Sequence, residues 1–183
     1  MKKILFAASE AVPFMKTGGL ADVTGSLPKY FDKKNYDVRV ILPKYVCMEE
    51  RWKGQLHFLC HFYVNLSWRK QYVGIFETTY DGITYYLVDN EFYFAGNAPY
   101  NNIYEDVEKF AFFSKAVLEA LPYLDFCPDI IHCHDWQTGL LPVFLRTLYG
   151  DEEYYTGIKT VFSIHNLKFQ GRWKLPAVMD ITG

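Results

Sequence analysis

Short apolar runs alternate with longer amphipathic stretches along this chain, a pattern that predicts strands separated by helices. Ile4-Leu5-Phe6-Ala7-Ala8 makes a first buried strand over about residues 2–8. A helix follows over about 19–31, with Pro28 placed to end or kink it. Val38 to Leu42 reads as a second strand, stopped by Pro43. From Leu56 to Asp89 the texture changes to β-branched and aromatic runs, namely Leu56–Val64, Gln71–Thr79 and Ile83–Val88. Asp81-Gly82 between the last two is a strong hairpin signal, so these are antiparallel strands inserted into or extending the main sheet.

Residues 90–104 are rich in Asn, Gly, Pro and Tyr and read as a long exposed loop. Val107, Phe110, Ala111, Ser114, Val117, Leu118 and Leu121 then share one face of an amphipathic helix. A strand over Asp129–His134, a helix over Trp136–Leu148 and a strand over Lys159–Ile164 complete the reading. Strands alternating with helices imply a three-layer α/β domain whose sheet is mostly parallel.

Composition narrows the class. The chain has 183 residues, half of them apolar and 22% charged, which fits one globular domain with a sizeable core. A net charge of −2 leaves no electrostatic footprint for nucleic acid. No apolar run reaches bilayer length, and Glu10 breaks the only stretch resembling a signal peptide, so a cytoplasmic location is expected. The high aromatic content, 19%, fits a sugar-stacking surface as well as a large core or interface. Cys47, Cys60, Cys127 and Cys133 lack CxxC spacing and sit in or near apolar runs, so buried free thiols are expected. The clusters His132–Asp135 and His57–His61 have no zinc-like spacing, and neighbours on a strand face opposite sides; no metal is expected.

Three junctions carry the candidate chemistry. Lys16-Thr17-Gly18-Gly19-Leu20 lies between the first strand and the first helix. Gly18 and Gly19 let the backbone approach a ligand, the helix start offers N–H groups to an anion, and Lys16 adds a cation. The same residues would also serve as an ordinary turn beside a solvated lysine. His132 to Gly139 and Ser163-Ile164-His165-Asn166 follow two further strands. Ligands of open parallel sheets bind at the carboxyl ends of the strands, where all three junctions fall.

Lys16-Thr17-Gly18-Gly19-Leu20-Ala21-Asp22-Val23 after Ser9-Glu10, with His134-Asp135-Trp136, Ile164-His165-Asn166 and Phe169-Gln170-Gly171, resembles the bacterial glycogen synthase and plant starch synthase family from residue 1 to about 171. The resemblance implies the N-terminal, Rossmann-like lobe of a GT-B glycosyltransferase over residues 1–183, with the C-terminal lobe outside this chain and no cofactor. The implied activity is retaining transfer of glucose from ADP-glucose to the non-reducing end of an α-1,4-glucan such as glycogen, with the chain inactive alone. By the same resemblance Lys16 contacts the donor phosphates, Asp22 lies near the sugar-nucleotide site, and Tyr93 lies near the donor. His165 approaches the transferred glucose, with its backbone carbonyl facing the anomeric centre, Asp135 stands at the active-site rim, and Asn166 accompanies His165. From the residues themselves, Asp22 also suits a helix N-terminus, Asp135 an N-cap, and Asn166 a turn-forming hydrogen bond. The sequence departs from the family at Ala95-Gly96, where an arginine is expected nearby, and at Lys109, where the family commonly has Arg. A non-catalytic glucan-binding module is the alternative function.

Overall fold

The computed structural model describes residues 1–183, the side chains of Ile103 and Tyr104 excepted. Seven strands form one sheet: β1 (Lys2–Ala7), β2 (Tyr36–Pro43), β3 (His57–Leu66), β4 (Arg69–Tyr80), β5 (Ile83–Asp89), β6 (Ile130–His134) and β7 (Lys159–Ser163). Their order across the sheet is β3-β4-β5-β2-β1-β6-β7. Pairs β5–β2, β2–β1, β1–β6 and β6–β7 are parallel, while β3–β4 and β4–β5 are antiparallel. The aromatic strands therefore extend the parallel sheet at one edge. Asp81 and Gly82 both take positive φ, 51° and 73°, in the tight turn that the Asp-Gly pair predicts.

Period-two alternation sorts side chains to two cores. Leu5, Ala7, Ile41, Tyr86 and Val88 face one side with Phe112, Phe113, Val117 and Leu118 of α3 (Ile103–Ala120) and Leu141 and Phe144 of α4 (Leu140–Thr147). Ile4, Phe6, Val38, Val40, Leu42 and Tyr85 face the other side with Ala11, Phe14 and Met48. Covering both faces is what allows the parallel strands to be continuously apolar. Val161 and Phe162 on the edge strand β7 remain partly exposed.

The helices deviate from the sequence reading where local chemistry intervenes. Helix α1 spans Gly19–Ser26 and tightens at Pro28 into a 3-10 turn, Leu27–Tyr30. The stretch expected as one helix from Trp136 is a 3-10 turn, Trp136–Thr138, followed by α4. Two short helices, α2 (Glu50–Lys53) and α5 (Leu175–Thr182), were not expected. All four cysteines are free, but only Cys133 is buried; Cys127 is exposed and the other two are half-buried, because apolar sequence neighbours do not fix a side chain's face. Among the described residues no helix is long and apolar enough to cross a membrane.

Gly25 sets how closely α1 lies against the segment after β1. A Cβ there would stand 2.4 Å from both Val12 Cγ2 and the Val12 carbonyl oxygen. Since backbone cannot yield as a flexible side chain does, Gly25→Ala is expected to cost about 1–3 kcal/mol, the usual range for overpacking. A shift of the denaturation midpoint at unchanged slope measures it; an unaltered midpoint would show that the contact is soft.

Candidate active site

Strand order reverses at β1: the chain leaves it toward β2 on one side and later reaches β6 on the other. Such a reversal opens a crevice at the carboxyl ends of the two strands, the place where open α/β sheets bind ligands. The loops following β1, β6 and β7 meet there around a cleft of about 1170 Å³. Gly18, Gly19, Asp135, His165 and Asn166 line it, with Lys168 and Arg172 as cations.

The loop after β1 is anchored through Glu10, whose buried carboxylate accepts the Thr17 backbone N–H, the Thr17 hydroxyl at 2.8 Å and the Tyr100 hydroxyl at 2.5 Å. Thr24 of α1 donates to the Glu10 carbonyl at 2.5 Å, and Tyr45 donates to the Ser9 carbonyl at 2.9 Å. Burial first, and then the Glu10 charge, hold the Tyr100 phenol well above its ordinary range, so it remains a hydrogen-bond donor. A Cβ on Gly18 or Gly19 would meet no protein atom, so the space beside both backbones belongs to the cleft. Neither glycine has positive φ; open room for a ligand, not backbone strain, is what glycine provides here.

Lys16 and Asp22 form an ion pair at 2.7 Å, both about half exposed. An exposed pair of this kind is worth at most about 1 kcal/mol, so a phosphate can draw Lys16 away from it. Neither residue lines the cleft itself, which begins at the adjoining Thr17.

Asp135 departs from the N-cap expectation: it makes no side-chain cap. Its backbone sits at φ 58° and ψ 178°, a region that costs a non-glycine residue about 1–3 kcal/mol. Hydrogen bonds from both backbone and side chain hold it there. Its N–H donates to the Ser163 carbonyl at 2.9 Å, its carbonyl accepts the Thr138 hydroxyl at 3.1 Å, and its Oδ1 accepts the His165 N–H at 2.7 Å. The Asp135 carboxylate thereby fixes the backbone of His165. Asn166 makes the expected turn, its Oδ1 accepting the Lys168 N–H at 2.9 Å. Gly171, at φ 57°, lies against the Trp136 indole, where a Cβ would stand 2.6 Å from the ring.

His132 and His134 share one face of β6, their ring centroids 4.1 Å apart, while Cys133 points into the opposite core. His134 Nδ1 lies 2.9 Å from His165 Nε2, and His132 Nε2 lies 2.7 Å from the Ser163 hydroxyl. Burial chiefly, and then the neighbouring histidines, push His134 down to about 3. Among the described residues no group of His, Cys, Asp and Glu converges to hold a metal ion.

Tyr93 is not among the residues lining the cleft. Its hydroxyl donates to Glu108 at 2.6 Å, and Glu108 is paired with Arg69 at 3.0 Å. Lys109 is buried and spends its ammonium on Asp106 and the Pro99 carbonyl, an anchor for the loop over residues 90–102. The sequence reading gave no role to Glu10, Tyr100, His134, Lys168 or Arg172. Glu10 had a legible signal, a carboxylate directly after an apolar strand and before the Lys-x-Gly-Gly loop, and His134 stood within the His-Asp-Trp motif.

The comparisons agree with this fold. A glycogen synthase of Lachnoclostridium phytofermentans is 66% identical over 182 residues, covering 100% of this chain and 38% of that protein. A glycogen synthase of Lachnospira eligens is 62% identical over 183 residues, again covering 100% of this chain and 38% of the other. The solved catalytic domain of starch synthase IV from Arabidopsis thaliana, bound to ADP and acarbose, superposes with a TM-score of 0.81 at 30% identity, covering 93% of this chain and 35% of that one. The chain thus spans well under half the length of these relatives. The family model described as the starch synthase catalytic domain matches residues 3–183, and this chain belongs to that family.

Proposed function

We propose that this chain is the N-terminal lobe of a glycogen synthase that transfers glucose from ADP-glucose to the non-reducing end of an α-1,4-glucan, with retention at the anomeric carbon, in the cytoplasm. The observation that carries the reading is the meeting of the Lys-x-Gly-Gly loop, Asp135 and His165 around one cleft at the switch point of the sheet. In the transfer, the bond from the anomeric carbon to the diphosphate oxygen breaks as the acceptor hydroxyl oxygen bonds to that carbon, and the hydroxyl proton passes to the departing diphosphate. Negative charge grows on the departing ADP, and positive charge grows on the sugar ring.

Lys16 and the backbone N–H groups at Gly18 and Gly19 suit the departing diphosphate, since preorganised donors stabilise charge that develops in the transition state. The His165 carbonyl, held by Asp135 through its own N–H, suits the positive sugar. Asp22 restrains Lys16 until the donor arrives, and Asn166 shapes the turn that follows His165. Tyr93, off the cleft wall, supports this site indirectly by holding Glu108, which pairs with Arg69. A second, C-terminal lobe closes over the cleft and supplies the rest of the nucleotide site.

Turnover by the full-length protein with ADP-glucose and with UDP-glucose, against a glycogen primer, tests the assignment. Glucosyl transfer from ADP-glucose is expected. Transfer from UDP-glucose alone would reassign the nucleotide, and absence of transfer from both would overturn the synthase reading.

A further inference from the structure

His134 and His165 come from the ends of neighbouring strands: β6 pairs with β7 so that His134 stands opposite Ser163, and the chain then turns to bring His165 alongside. Their ring planes lie within 16° of one another, which suits an in-plane hydrogen bond between His134 Nδ1 and His165 Nε2 at 2.9 Å. One of these two nitrogens carries the hydrogen and the other the lone pair. The surroundings of His134 decide which.

His134 is fully buried, with the Phe6 ring centroid 5.0 Å away and the His132 ring stacked at 4.1 Å. Burial keeps it neutral at physiological pH, so it owns a single N–H. Its Nε2 has no hydrogen-bond partner among the described residues. A proton on Nε2 would therefore be an orphaned donor in an apolar setting, among the rarest and costliest states for a buried N–H. Placed on Nδ1, the same proton makes the bond to His165, and only a lone pair is left unmet. His165 Nε2 is then the acceptor and carries no hydrogen.

We propose that His134 is a positioning residue that locks His165 as its Nδ1–H tautomer, so that His165 offers the cleft a hydrogen-bond donor for a sugar hydroxyl oxygen. His165 lines the cleft, and its Nδ1 has no protein partner among the described residues. In this tautomer the ring donates to a bound hexose and takes no proton from it. The arrangement reverses the preference of an unconstrained neutral histidine in water, which favours Nε2–H. Assigning a sugar as the group contacted rests on the synthase reading; the tautomer does not.

The test is nitrogen-15 spectroscopy of histidine-labelled full-length protein at neutral pH, with His165→Asn used to assign the His165 signals. In the wild type, His165 Nε2 is expected at the position of an unprotonated ring nitrogen and Nδ1 at that of a protonated one. His134→Phe, which keeps the ring volume and removes the donor, is expected to move His165 toward Nε2–H. His134→Asn, whose amide nitrogen overlays Nδ1, is expected to restore the original tautomer. In turnover, His134→Phe should lower kcat/KM about ten-fold, the scale for losing a partner that sets a histidine's tautomer, and His134→Asn should recover part of the loss.

A wild-type His165 protonated at Nε2, or a His165 tautomer unchanged in His134→Phe, overturns the proposal. If His134→Phe fails to fold, the wild-type spectrum and His134→Asn decide it. The spectra need neither donor nor acceptor, so failure of the tautomer assignment and failure of glucosyl transfer are separate outcomes.

Discussion

Lys16→Ala in the full-length enzyme is expected to lower kcat/KM for ADP-glucose by about a hundred- to a thousand-fold, equivalent to about 3–4 kcal/mol of transition-state stabilisation. Lys16 adjoins Thr17, whose N–H and hydroxyl both bond Glu10, so the base of its side chain is held while its half-exposed ammonium pairs with Asp22. Its partner among the described residues, Asp22, forms an exposed pair with it that contributes little to the fold. The substitution should therefore leave the unfolding midpoint close to that of the wild type, and the whole loss should appear in turnover. Lys16→Arg keeps the charge but changes its shape and reach, and should fall between the two. Asp22→Asn should change turnover far less than Lys16→Ala, because it removes a competitor for the cation and not the cation itself. Near wild-type turnover by Lys16→Ala would remove Lys16 from the diphosphate site. A lowered unfolding midpoint would instead give it a structural role that its exposure does not support.

Much of this site was legible in the sequence because strand ends and loop chemistry are local. The apolar run Ile4–Ala8 and the short strand Ile130–His134 are each followed at once by polar residues, which is how a buried parallel strand ends at a functional rim. What stayed hidden depends on contacts distant in sequence. The bond from His134 to His165 spans thirty-one positions and exists only because β6 and β7 pair in one register. The bond from Tyr100 to Glu10 spans ninety and exists because a glycine- and asparagine-rich loop folds back over the switch point. Asp135 shows a different limit. An aspartate before a helical stretch looks like an N-cap, yet tertiary contacts draw its backbone into a left-handed conformation and turn its carboxylate to the next strand's loop. For Tyr93, the family resemblance suggested proximity to the donor, but the resemblance carried no information on which way its hydroxyl points. That hydroxyl is committed to Glu108.

Glu10→Ala is expected to cost about 3 kcal/mol of stability, the scale for removing charge-assisted hydrogen bonds from a buried acceptor and leaving donors unmatched. The Thr17 N–H, the Thr17 hydroxyl and the Tyr100 hydroxyl all converge on this one carboxylate. Alanine leaves all three without it, although Tyr100 keeps Ser9 at 2.8 Å. Glu10→Gln should be milder for a specific reason. With its oxygen turned to the Thr17 N–H, its amide nitrogen faces two hydroxyls, and a hydroxyl can rotate to accept. Only the charge is then lost. Denaturant unfolding should rank the variants wild type, Glu10→Gln, Glu10→Ala in falling midpoint. Because Thr17 adjoins Lys16, the KM for the sugar nucleotide should rise in the same order as the loop loosens. If Glu10→Ala matched the wild type in both measurements, the loop would be held by α1 packing instead. If stability fell while KM stayed fixed, Glu10 would support the fold without setting the position of Lys16.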